Sequence, residues 1–175
     1  MLIVSPRSYF VFTPLLAEAA CGTIELRTTV EPVRSRSQTH IKYVQAWADE
    51  VDFVGKRLIV EEAVADPRQG LALIGGTAKG SEEVRREREE MRKKGQVFEL
   101  GYDKLVISVG CYLQTFGTPG VKEHAYFLKD VGDARKIRTR LLECFELAAL
   151  PTVTEERRRK LLTFCIIGGL SLIHI

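Results

Sequence analysis

Apolar positions fall in short runs set apart by turn residues, and most runs have strand length rather than helix length. Leu2–Val4 is the first, and Pro6 ends it. Ile41–Ala48 (IKYVQAWA) reads as a second strand, parallel to the first. Val51–Phe53, Lys56–Glu61 and Val97–Leu100 are β-rich and predict a meander beside the main sheet. Leu105–Val109 is an apolar run ending on Gly110, and it predicts a buried strand. Ala125–Leu128 and Phe164–Ile167 predict two more, the last entering Gly168-Gly169. Helical period governs Ala134–Leu150, where Ala134, Ile137, Leu141, Phe145 and Ala148 recur three or four apart. Asp130 or Asp133 is its N-cap and Pro151 its stop. Thr154–Leu162 is a second helix, with Thr154 as cap and Glu155-Glu156 at its positive end. A short helix over Thr28–Ser35 is limited by Pro32. Strand, helix, strand, meander, strand, helix, helix, strand is the pattern of a doubly wound α/β domain with a parallel sheet.

Composition narrows the class. The 175 residues are 45% hydrophobic and 28% charged, enough for a globular core. A net charge of +3 is too balanced to argue for nucleic acid. Cys21, Cys111, Cys144 and Cys165 are far apart and the three histidines do not join them, which argues against a metal site or disulfide framework and for reduced core thiols. No apolar run approaches the roughly 20 residues of a membrane helix. The N-terminus carries no signal or transit pattern.

Candidate chemistry gathers at strand ends, where α/β sheets bind ligands. Ser5, Pro6, Arg7 and Ser8 follow the first strand, with side chains suited to a ribose or a phosphate. Tyr9, Phe10 and Phe12 either pack under the sheet or wall a flat ring. Gly110 allows close backbone approach. Gly75–Ser81 (GGTAKGS) fails as a phosphate loop, because Lys79 precedes the last glycine and a charged stretch follows. Residues 63–96 read as a surface insertion, and Glu82–Lys94 as its solvated helix.

Ser5–Leu16 (SPRSYFVFTPLL), Glu31–Ser35 (EPVRS), Tyr102–Gly110 (YDKLVISVG), Thr115–Val121 (TFGTPGV), Ala125–Arg138 and Phe164–Gly169 (FCIIGG) together resemble the type II, or alternative, NADH:ubiquinone oxidoreductases, most of all their fungal mitochondrial branch. The resemblance implies an FAD/NAD(P)-binding Rossmann-like fold in which an antiparallel β-meander replaces one crossover. It implies non-covalent FAD, hydride transfer from NADH to the flavin, and electron delivery to ubiquinone without proton pumping. It further implies peripheral attachment to the mitochondrial inner membrane through a C-terminal region, and leaves room for a homodimer.

Carried onto this chain, the resemblance puts Ser5 and Arg7 on the adenosine ribose or its phosphates. Thr13 and Pro14 lie against the isoalloxazine, and Ala48 offers backbone to the adenine. Val109 and Gly110 pack by the FAD ribose and pyrophosphate. No catalytic or metal residue is carried over. Residues 1–161 are then an incomplete FAD domain, expected to lack a preceding GxGxxG strand, and 162–169 the first strand of an NADH domain. Leu170–Ile175 matches no family sequence and looks like a translated adapter. Two alternatives stand beside this: another FAD-dependent pyridine-nucleotide oxidoreductase, or an interaction module that docks through Glu82–Lys94.

Overall fold

The computed structural model describes residues 1–36, 40–64, 74–75, 95–111 and 113–168. In chain order its elements are β1 (Leu2–Ser5), β2 (Tyr9–Val11), α1 (Leu16–Cys21), β3 (Val30–Pro32), β4 (Lys42–Asp52) and β5 (Arg57–Glu62). They continue with β6 (Ile74–Gly75), β7 (Val97–Gly101), β8 (Leu113–Gln114), α2 (Val121–His124), α3 (Val131–Ala149) and α4 (Glu155–Leu161). The chain forms two compact units: Met1–Phe10 with Glu31–Ala125, and Val11–Val30 with Tyr126–Ile175.

The first unit is built on a four-stranded sheet in the order β1-β4-β5-β7. β1 runs parallel to β4, from Leu2 opposite Lys42 to Ser5 opposite Gln45. β5 returns antiparallel to β4, and β7 antiparallel to β5. The expected parallel pair with an attached meander is therefore present, but Val51 and Asp52, expected in a separate segment, are the end of β4 itself, and Phe53 lies in the turn. Alternation sends Val44 and Ala46 to one face, where Ala46, Leu58 and Val60 are buried among Val4, Val51, Leu100 and Tyr102. Burying a Val or Leu side chain contributes about 1.5–3 kcal/mol, so this face holds the meander on the parallel pair. The β4–β5 turn is fixed by Asp52, whose Oδ1 accepts from the N–H groups of Gly55 (2.8 Å) and Val54 (3.1 Å). Those bonds, that from Gly55 foremost, hold the Asp52 carboxyl below its ordinary range, with Arg57 adding to the effect.

The second unit packs α1 against α3 through Leu16, Ala20 and Ala134, with Val11, Leu26, Leu128 and Ile137 around them. Alanines at the contact let the helices approach closely. Asp130 is the N-cap of α3 and Asp133 completes a capping box. Asp133 Oδ2 accepts from the N–H of Asp130 at 2.9 Å and of Lys129 at 3.2 Å. Asp130 Oδ1 accepts from Val131 N–H at 2.7 Å. The two residues that compete for the cap in the sequence thus both serve it. α4 begins at Thr154 as expected, its hydroxyl accepting from Arg157 N–H. Arg158 Nε donates to the Ala148 carbonyl at 3.0 Å and so satisfies the open end of α3.

Several expectations are corrected. Leu105–Val109, Ala125–Leu128 and Phe164–Ile167 form no strand. Val106 is 88% exposed and Ile167 84%. Apolar, β-branched sequence yields a strand only against a neighbour, and these segments have no ladder partner among the described residues. Thr28–Ser35 is not one helix: 3-10 turns at Leu26–Thr29 and Val33–Arg36 flank β3. Within the expected insertion, β6 pairs in parallel with β8. The glycine-rich loop beyond Gly75, the Glu82–Lys94 helix and the Leu170–Ile175 tail lie outside the described residues. Cys144 alone of the four thiols is buried; Cys21, Cys111 and Cys165 are exposed, so they are not the core thiols expected.

Removing the Asp133 carboxylate orphans two N–H groups at the start of α3. Asp133→Ala should lower unfolding stability by about 1–2 kcal/mol, and Asp133→Asn by less, since an amide oxygen still accepts. Urea unfolding followed by circular dichroism measures both.

Candidate functional site

Proline at position 6 ends β1, because it has no N–H with which to continue the ladder. The Ser5 carbonyl, at the last ladder pair, and the Pro6 carbonyl, beyond it, each take a side-chain donor from β4. Tyr43 Oη donates to the Ser5 carbonyl at 2.9 Å, and Gln45 Nε2 to the Pro6 carbonyl at 3.3 Å. Ser5 Oγ accepts from Arg7 N–H at 3.2 Å. A hydroxyl that accepts in this way keeps its own proton for another acceptor. Ser5 therefore stands at the strand's end with a donor to spare, in a turn closed by three hydrogen bonds.

Arg34 lies over the Tyr43 ring, 5.2 Å from its centroid. Burial raises the Tyr43 pKa, and the Arg34 charge pulls it partly back. Ile3, Ser5, Tyr43 and Gln45 share a sheet face by register and alternation, opposite the buried Ala46 cluster. On this side Ile3, Phe10, Glu31, Pro32, Val33 and Ile41 line an apolar concavity of about 350 Å³. Phe10 lies at its wall, 60% exposed. It does not pack under the sheet.

Ala48 is exposed on β4, three residues past the partner of Ser5 and about 10 Å further along the strand. Because β1 and β4 are parallel, Ser5 and Ala48 lie toward the same end of the sheet. A register shift between Ala48 and Glu50 breaks the ladder to β5 just there. Thr13 and Pro14 open a 3-10 turn ahead of α1 in the second unit, both exposed. Val109 and Gly110 lie in exposed, irregular chain after β7 and do not end a strand. Gly110 has φ +70°, and a Cβ built on it meets nothing within 4 Å. Its backbone, not crowding by protein, accounts for the glycine.

Sequence reading missed Tyr43, Gln45 and Arg34. The available signal was Tyr43 and Gln45 two apart on a strand, hence on one face, following an Arg in EPVRS. Among the described residues, no cluster of His, Cys, Asp and Glu is placed to hold a metal ion.

No family model matches the chain. It is 39% identical over 170 residues to an external alternative NAD(P)H-ubiquinone oxidoreductase B1, mitochondrial, of Arabidopsis thaliana, covering 95% of this chain and 26% of that protein. It is 37% identical to the external NADH-ubiquinone oxidoreductase 2, mitochondrial, of Saccharomyces cerevisiae, with the same coverage of both chains. The structure of NDH2 from Plasmodium falciparum in complex with NADH superposes with a TM-score of 0.66 at 29% identity, over 91% of this chain and 27% of that one. The chain spans about a quarter of the length of the curated relatives it matches. It is homologous to one segment of the alternative NAD(P)H-ubiquinone oxidoreductases and shares their fold there, as the motif resemblance implied.

Arg34→Gln removes the charge that lowers the Tyr43 pKa, so Tyr43 should titrate at higher pH than in the parent. Ultraviolet absorbance of the phenolate, differenced against Tyr43→Phe, measures the shift; an unchanged or lower titration overturns the Arg34 assignment.

Proposed function

We propose that this chain is the FAD-holding segment of a type II NADH:ubiquinone oxidoreductase, which passes electrons from NADH through flavin to ubiquinone without moving protons across the membrane. The observation that carries the reading is the parallel β1–β4 pair with Ser5 and Ala48 toward its carboxyl end, inside a segment collinear with such enzymes. The residues present fit the adenosine half of a dinucleotide. Ser5 holds one hydroxyl proton ready for a ribose oxygen, and Ala48 lies exposed further along β4, where the register to β5 shifts. Arg7 and Arg34 bring cations to this end, against Glu31, Asp49 and Glu50, and are the groups suited to pair with the diphosphate. FAD, when bound, supplies the redox chemistry: it takes a hydride and releases electrons singly or in pairs. This chain's own part is to bind and orient.

Thr13 and Pro14 lie along the isoalloxazine in this reading, and Val109 and Gly110 against the ribose and pyrophosphate. Residues 1–161 form the FAD domain, and 162–169 open the domain for NADH. Further chain of the same protein then covers Val106, Ile107, Val109, Ile166 and Ile167, which are exposed here. The enzyme works as a peripheral protein of the mitochondrial inner membrane, attached through a region beyond this segment, and it can form homodimers. No helix among the described residues is long and apolar enough to cross a membrane.

The full-length protein, incubated with FAD and desalted, should keep a flavin absorbance band; colourless protein after reconstitution overturns the reading. Gly110→Asn preserves the left-handed backbone, which Asn tolerates, and adds a side chain into space the protein leaves open. FAD affinity should fall at least about tenfold with an unchanged thermal midpoint, because a Cβ there meets ligand and not protein. Full affinity would remove Gly110 from the site.

A further inference from the structure

We infer that Tyr43 and Gln45 are positioning residues of the adenosine subsite: they act on the ligand through the Ser5–Arg7 turn without touching it. This rests on the FAD reading above and assigns to β4 a role beyond supplying Ala48.

Ser5 is the last ladder residue of β1 and Pro6 lies beyond it, and the carbonyls of both accept side-chain bonds. Each takes a side-chain donor from β4, Tyr43 at 2.9 Å and Gln45 at 3.3 Å. Both bonds are part-buried and join residues 38 and 39 apart in sequence, so neither is a local turn contact. Pro6 fixes its own φ, and Arg7 N–H closes on Ser5 Oγ at 3.2 Å. That bond takes one position around the Ser5 oxygen and leaves the hydroxyl proton for another acceptor. Where that proton points depends on the Ser5 carbonyl staying on Tyr43. Arg34 over the ring holds Tyr43 from the other side, at 5.2 Å. The chain runs from the Arg34 guanidinium to the Tyr43 ring at cation–π distance, from its phenol to the Ser5 carbonyl by a hydrogen bond, and through the Ser5 backbone to the hydroxyl that meets the ligand.

The test is a double-mutant cycle on FAD affinity in the flavin-stripped full-length protein, read by fluorescence quenching. Tyr43→Phe keeps the ring under Arg34 and removes only the donor. It should weaken FAD binding about 5- to 10-fold, the size of one lost hydrogen bond. Gln45→Leu should do the same to a smaller extent. Ser5→Ala should weaken binding by itself, and adding Tyr43→Phe to it should cost little more, because Tyr43 acts through Ser5. A merely structural Tyr43 gives losses that multiply in full. Full multiplication, or parent-like affinity in Tyr43→Phe, overturns the inference while leaving the FAD reading standing. Parent protein that binds no FAD overturns the reading itself.

Discussion

The parallel pairing of β1 with β4 is the constraint on which the first unit depends. Parallel strands cannot be joined by a tight turn, so residues 6–41 must leave the end of β1 and return to the start of β4. Both strands then finish at the same end of the sheet. β4 outruns its short partner and divides its length between two neighbours: Lys42–Gln45 face β1, and Ala46–Asp52 face β5. One strand thus terminates the parallel part of the sheet and begins the antiparallel meander. The change of partner falls at Gln45 and Ala46, beside the end of β1. The core lies on one face there and the candidate site on the other.

Magnitudes decide which contacts matter at that end. Exposed pairs such as Arg57–Glu99 and Lys160–Glu156 each contribute a few tenths of a kcal/mol at most. The part-buried bonds from Tyr43 and Gln45 are each of the order of 1 kcal/mol. The shape of the Ser5–Arg7 turn is therefore set by side chains of the neighbouring strand more than by charge at the surface. The same economy appears in the second unit. Asp133 serves two N–H groups and Arg158 a carbonyl, while the helix contact itself is made by small residues.

What the sequence made legible follows from how local each signal is. The start of α3 was readable because a cap is a matter of three or four neighbouring residues, and both candidate aspartates proved to be part of it. β1, β4, β5 and β7 were readable because their alternation agrees with a one-sided core. Leu105–Val109 and Phe164–Ile167 have equally strand-like residues and form no strand, because pairing depends on a neighbour that no local pattern encodes. α1 went unread although Leu16–Cys21 is mostly helix formers and Gly22 stops it with φ +83°; a six-residue helix is too short to show a period. At the site, Ser5 was legible as a strand-end residue; Ala48 was expected to end its strand, but β4 runs on to Asp52. Tyr43 was not legible, since its work is done on a carbonyl 38 residues away.

Serine at position 5 makes this distant control more consequential. An acidic residue at the same strand end meets a ribose with two oxygens and a full charge, and such charge-assisted bonds are about twice as strong as neutral ones and tolerate small displacements. A serine has one proton to give. Here one side of its oxygen is already engaged by Arg7 N–H, so the remaining bond is both weaker and more directional. The loss of charge shifts the burden from electrostatics to geometry. The geometry is set at the carbonyls of Ser5 and Pro6, which Tyr43 and Gln45 hold. A strand terminator and the two side chains that answer it thus do, by position, what a carboxylate does by charge.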